Sequence, residues 1–174
     1  MTGSVPNGRS GRVRQLNRKS QVPGERGLPK LAVPEVRITA LGVEGDYNVF
    51  RHDVAGDDPN MAVLIVPFET LEQFNREGWP VRPGDLGENI TSIGVPYDDF
   101  APGRRFQVGG VLLEVTKPCT PCDNLFGLPY VGPDRGREFL KVTLDRRGWY
   151  AKVLQEGRVR AGDPIAPVRG APAA

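Results

Sequence analysis

The chain has one histidine and two cysteines among its 174 residues, and these scarcities exclude whole classes of site. A single His52 cannot build a histidine-rich zinc site or a two-histidine metalloprotease helix, and any histidine-dependent triad would have to use it. Cys119 and Cys122 are too few to staple a secreted domain of this length, which indicates a reducing compartment. No apolar run approaches the length that spans a bilayer, and the opening MTGSVPNGRSGR lacks the hydrophobic core of a secretion signal. The expectation is a cytoplasmic protein with no membrane partner.

Glycine and proline are abundant, at 22 and 17 residues, so long helices cannot dominate and a loop-rich, mainly β architecture is favoured. With 39% hydrophobic and 25% charged residues the chain can bury a real core. The net charge of +2 is unevenly placed: residues 1–30 carry seven Arg or Lys against one acid, leaving sixteen bases against twenty acids beyond. That basic start lacks the interleaved aromatics of a base-stacking platform, so no nucleic-acid partner is expected. Gly, Pro, Ala and Ser dominate the ends, placing flexible tails at 1–11 and 167–174 around a single domain at 12–166.

Within that domain, 13–18 and 36–41 read as strands, and the apolar run 61–66 as a buried strand. Pro67 suits a first helical position; Glu69 and Glu72 follow near the positive end, Gly78 supplies the stop, and Phe68, Leu71 and Phe74 face the core. The clearest hairpin covers 105–115, with Phe106, Val108, Val111, Leu113 and Val115 on one face around Gly109-Gly110. A strand at 149–154, a turn at Gly157 and a strand at 159–165 complete a β-rich barrel with one or two appended helices.

Four segments could carry chemistry. Cys119-Thr120-Pro121-Cys122 follows the hairpin's second strand, where a rigid element hands over to a loop. Two thiols at this spacing suit a redox pair or a nucleophile with a neighbour, with Lys117 close in sequence; they also suit plain burial as small hydrophobes. Zinc fails for want of further ligands, and a thioredoxin-like reading fails because that motif belongs at a helix start within a βαβ pattern, which the sequence does not show. Gly42-Val43-Glu44-Gly45-Asp46, followed by Arg51, His52 and Asp53, sets carboxylates on a turn, where they can bind heterocycle N–H groups or stay solvated. Gly84-Asp85-Leu86-Gly87-Glu88-Asn89-Ile90 has the same look, and Asn89 carries the donors and acceptor that read a pterin or purine edge. Arg146-Arg147-Gly148-Trp149-Tyr150 pairs a possible phosphate clamp with an aromatic wall.

Taken in chain order, Gly42 to Asp46, Gly84 to Ile90, Pro118 to Cys122 and Arg147-Gly148-Trp149-Tyr150-Ala151-Lys152-Val153 with the 157–163 stretch resemble the MOSC domain family, named for the C-terminal domain of molybdenum cofactor sulfurases. The resemblance covers about 13–165 and is to its small stand-alone bacterial members. It implies a closed, pyruvate-kinase-barrel-like β-barrel, binding of a molybdenum pterin cofactor or a sulfur species, and a reactive cysteine at Cys122. In relatives that are molybdoenzymes this cysteine ligates the metal and the substrates are N-hydroxylated compounds such as hydroxylaminopurines and amidoximes. In the sulfurase-associated members it carries sulfur. Both roles use a thiolate, a soft metal ligand and a strong sulfur nucleophile.

On the first reading, Cys122 binds molybdenum, Asp46, Glu88 and Asn89 hold the pterin, Lys117, Arg146 and Arg147 meet its phosphate, and Arg51 or His52 stands at the rim. An electron-donor protein would then be a partner. On the second, Cys122 accepts a persulfide from a cysteine desulfurase and passes it on. Many relatives have arginine where Cys119 stands; here a second thiol could resolve a persulfide or close a disulfide on Cys122, or be a neutral replacement. Pyridoxal phosphate belongs to a separate sulfurase domain for which this chain has no room, and no Schiff-base lysine is expected.

Overall fold

The computed structural model describes residues 8–169, so much of the two expected tails lies outside the described residues. In chain order the elements are β1 (Gly11–Arg18), β2 (Leu31–Val33), β3 (Glu35–Thr39), β4 (Gly42–Val43), β5 (Val63–Pro67), helix α1 (Phe68–Arg76), β6 (Ile90–Ile93), β7 (Arg105–Val108), β8 (Val111–Pro118), helix α2 (Gly132–Thr143), β9 (Trp149–Gln155), β10 (Gly157–Arg160) and β11 (Pro164–Val168). Gly11 and the pair Pro167 and Val168, assigned to tails from composition, are strand residues.

Seven strands close on themselves in the order β1–β11–β7–β8–β9–β5–β6 and back to β1, with β2 hanging on the outside of β1. Closure is made by Gly11 pairing with Ile165, and it leaves the ring without a free sheet edge. A second sheet, β10–β3–β4, packs Val36, Ile38, Val43 and Val159 into the same cluster as the barrel interior. The expected hairpin is present: Gly109 takes φ 53°, and Phe106, Val108, Val111, Leu113 and Val115 all reach the barrel core. A side chain at Gly109 would run into the Asp163 carboxylate, so the turn needs glycine.

Strand β5 is buried along its whole length, and its period-2 alternation makes it a wall between clusters. Val63 and Ile65 join the barrel interior, Val66 joins a layer built with Leu71 and Phe74 of α1 and Phe139 of α2, and Leu64 joins Met61, Cys119 and Tyr150. The chain passes through α1 to reach β6, which pairs with β5 in parallel; a parallel neighbour requires such a crossover.

The structure moves three sequence-based boundaries. Pro67 has an extended ψ of 136° and caps α1 from the end of β5, so the helix starts at Phe68. The stretch 159–165 is two strands in different sheets, β10 and β11, because Asp163 accepts the Arg160 amide at 2.8 Å and turns the chain between them; Gly157 opens β10 instead of forming a turn. Met61 lies in a 3₁₀ turn before β5, not within the strand.

Candidate functional site

The barrel's register brings the chemistry-bearing loops to one place. Pro118 at the end of β8 lies opposite Trp149 at the start of β9, and Trp149 in turn lies opposite Ile65 of β5, which pairs with Ile90 of β6. The loops after β8, before β9 and before β6 therefore converge, and the Cys119 amide donates to the Gly148 carbonyl at 2.9 Å. Gly148 takes φ 107° and passes so close to the Ile65 carbonyl that a Cβ would stand 2.5 Å from its oxygen. That close approach directs Arg147 inward.

A cavity of about 700 Å³ opens between these loops and the segments 26–30 and 47–54. Cys122 lines it, and Arg147 Nη1 donates to Cys122 Sγ at 3.2 Å and to the Thr120 carbonyl at 3.1 Å. The rest of the guanidinium reaches the Leu86 carbonyl at 3.4 Å. Arg147 is only 6% exposed, and none of the carboxylates among the described residues pairs with it. Burial works against its charge, yet the neighbouring Cys119 and Cys122 sulfurs more than offset this and hold its pKa above the ordinary arginine value. A negative sulfur at Cys122 thus has a charge-assisted donor in place.

Four basic side chains line the cavity, Arg26, Lys30, Lys117 and Arg147, against one acid, Asp123. Lys30 is spent on Asp46 at 2.5 Å and Lys117 meets Asp58 at 3.3 Å, while the Arg26 guanidinium donates to the Asp123 carbonyl at 3.3 Å. Met61, Leu64 and Leu86 form an apolar wall, and Asn48 and Asn124 bring amide groups to it.

Of the residues singled out from the sequence, Cys122, Lys117 and Arg147 meet at this cavity. Cys119 does not line it; the thiol is 3% exposed and packs with Met61, Leu64 and Tyr150. Asp46 acts as a clamp, accepting from Lys30 Nζ, from Asn89 Nδ2 at 2.8 Å and from the Lys19 amide at 3.0 Å, and so fixes both ends of the 19–30 loop. The Asn89 amide is occupied by that contact and by the Leu64 amide, which it accepts at 3.2 Å. Glu88 is fully buried off the cavity, accepting from the Gly84 amide at 2.7 Å and Thr91 Oγ1 at 2.9 Å, and burial lifts its pKa to about 7. Arg51 is buried too, its charge disfavoured by burial, with Nε and Nη2 lacking partners among the described residues and Nη1 on the Ala62 carbonyl at 3.1 Å. His52 stacks on Tyr47 and pairs with Asp57 beside a separate shallow cleft. Arg146 points elsewhere, gripping Glu77 at 2.7 and 2.9 Å over the Phe74 ring.

Sequence reasoning missed Arg26, Lys30, Asn48 and Asn124. Asn124 stands two residues after Cys122, a proximity that could have flagged it; Arg26 and Lys30 were absorbed into the count of a basic start.

The fold and the cavity define a closed β-barrel that presents a thiol and a buried cation to a ligand-sized space. A profile of the MOSC domain matches residues 51–166, and the chain belongs to that family, which is associated with the molybdenum cofactor. It is 28% identical over 137 residues to protein YiiM of Escherichia coli (strain K12), an alignment covering 75% of this chain and 58% of YiiM. It is 31% identical over 111 residues to the uncharacterized protein YflK of Bacillus subtilis (strain 168), covering 60% and 46%. The chain thus spans about half the length of these two relatives. Among solved structures, the YuaD protein from Bacillus subtilis matches with a TM-score of 0.72 at 18% identity, over 90% of this chain and 94% of that one. YiiM from Escherichia coli matches with a TM-score of 0.66 at 23% identity, over 93% and 71%. None of the described helices is long and apolar enough to cross a membrane.

The cavity's donor set suits the family's cofactor. Its thiol is a soft ligand of the kind molybdenum takes, and Arg26 and Arg147, neither paired with a carboxylate among the described residues, complement an anionic group.

Proposed function

We propose that this cavity binds a molybdenum pterin cofactor through Cys122 and that the loaded protein reduces small N-hydroxylated compounds, with electrons from a partner protein. The observation that carries the reading is the Cys122 thiol 3.2 Å from a buried guanidinium that has no carboxylate partner among the described residues, both facing a space of about 700 Å³. A bare sulfur-transfer site needs the thiol and the cation but not that volume or the second arginine, Arg26, at its wall.

When bound, the metal supplies the two-electron chemistry that breaks an N–O bond. The chain's own residues bind and orient. Cys122 offers its sulfur as ligand, Arg147 balances the negative charge that gathers there, and Arg26 and Lys117 attract the cofactor's phosphate. Asn48 and Asn124 offer amide groups to the heterocycle's polar edge, and Met61, Leu64 and Leu86 exclude water from its face.

The test is elemental analysis of wild type and Cys122→Ala, both produced in a host that makes the cofactor. Stoichiometric molybdenum in wild type and its loss in the variant is the expected result. No molybdenum in either, with labelled sulfur from a cysteine desulfurase retained on Cys122, overturns the reading in favour of a sulfur carrier.

A further inference from the structure

Cys122 shares its turn with a second thiol, and one peptide carbonyl ties both sulfurs to one guanidinium. Arg147 Nη1 donates to Cys122 Sγ at 3.2 Å and to the Thr120 oxygen at 3.1 Å, while Cys119 Sγ lies 3.9 Å from that same oxygen. Both sulfurs act on the Arg147 charge, which places the cation within electrostatic reach of each. Their accessibility differs. Cys122 lines the cavity, whereas Cys119 is buried, with its amide held by Gly148 and its thiol against Tyr150. An oxidant arriving from solvent meets Cys122 first, and the protected neighbour stays reduced until something forms within its reach.

We propose that Cys119 and Cys122 are a hydroperoxide-sensitive pair, with Cys122 the site of oxidation and Cys119 the thiol that closes a reversible disulfide on it. In the first step the Cys122 thiolate attacks a peroxide oxygen; an S–O bond forms, the O–O bond breaks, and the departing hydroxide or alkoxide takes a proton from water. Sulfur is oxidised by two electrons and the peroxide is reduced. In the second step Cys119 sulfur attacks Cys122 sulfur; the S–S bond forms, the S–O bond breaks, and the leaving hydroxide combines with the Cys119 proton as water. A dithiol reductant reverses the outcome. Arg147 Nη1 donates to the Cys122 sulfur that attacks and so holds it at the cavity wall. The Cys-Thr-Pro-Cys spacing is that of dithiol pairs able to close on themselves. The disulfide withdraws Cys122 sulfur from any metal or sulfane partner, so the pair sets whether the cavity can be loaded.

The experiment uses metal-free, fully reduced protein treated with hydrogen peroxide, then denatured, alkylated and examined by intact mass and peptide mapping. The expected result is loss of two hydrogen atoms, protection of both cysteines from alkylation, one cross-linked peptide joining Cys119 to Cys122, and recovery with dithiothreitol. In Cys119→Ala, oxygen atoms accumulate on Cys122 instead, and in Cys122→Ala the Cys119 thiol remains alkylatable. Oxygen accumulating on Cys122 in wild type while Cys119 stays alkylatable overturns the proposal, as does a disulfide formed only between two chains. Peptide mapping of wild type decides the matter even if a variant fails to fold. Because no cofactor is involved, the result stands apart from the molybdenum measurement.

Discussion

Strand β5 separates two regions built on different principles. On the side of Val63 and Ile65 the barrel is filled by side chains such as Phe106, Val108, Leu113 and Ile165, and its shape rests on packing. On the side of Leu64 the loops are set by polar side chains bonded to backbone: Asn89 to the Leu64 amide, Asp46 to the Lys19 amide, Arg147 to the Leu86 and Thr120 carbonyls. Packing tolerates little change in volume, whereas a hydrogen-bonded loop keeps a cavity open beside it. The barrel interior thus lies on one face of the strand, while the other face carries both the helical apolar layer at Val66 and the reactive groups beside Leu64.

The contrast predicts where substitutions are felt. The largest effect falls inside the barrel: Phe106→Ala, which removes a fully buried ring lying tilted 4.8 Å from that of Phe100, lowers stability by about 4 kcal/mol, read from urea unfolding. A smaller effect tied to pH falls on the polar side. Glu88 holds its proton to about 7 when folded, against an ordinary value of 4.5. The folded state therefore binds more protons than the unfolded one between those values. The stability this contributes is full below about pH 4.5, and an amount on the order of 3 kcal/mol is lost as pH rises through about 7. Glu88→Gln, which keeps a neutral acceptor in place, should flatten that slope and raise Tm relative to wild type near pH 8 while changing little near pH 5; an unaltered slope would remove Glu88 as its source. The smallest effect lies at the surface, where Glu77→Gln breaks the grip of Arg146 for roughly 0.5 kcal/mol, because solvent screens the half-exposed pair.

What could be read from the sequence divides along the same line. The hairpin at 105–115 was legible because five apolar residues alternate around two glycines, and all five are buried where the alternation placed them. Cys122 and Arg147 were legible because each lies in a distinctive local segment next to a strand. Residues whose roles come from distant partners were not. Asp46 resembles a ligand-binding carboxylate until Lys30, Asn89 and the Lys19 amide are seen around it. Arg146 and Arg147 are neighbours with the same chemistry, and only Gly148 and the nearby Glu77 decide that one turns inward and the other outward. Helix α2 carries Gly132, Pro133 and Gly136, a composition that hides it from propensity; packing of Phe139 against Trp79 and Tyr130 holds it.

The seam between β1 and β11 also orders events during synthesis. Gly11 pairs with Ile165, so the ring cannot close until nearly the whole described chain has left the ribosome, and the contact joins the most distant parts of it. Until then the Gly11–Arg12 end of β1 lacks its β11 partner and stays open to other nascent strands. Translation speed and chaperone supply, more than the strength of any local element, should therefore govern how much of this protein is recovered folded when it is overproduced.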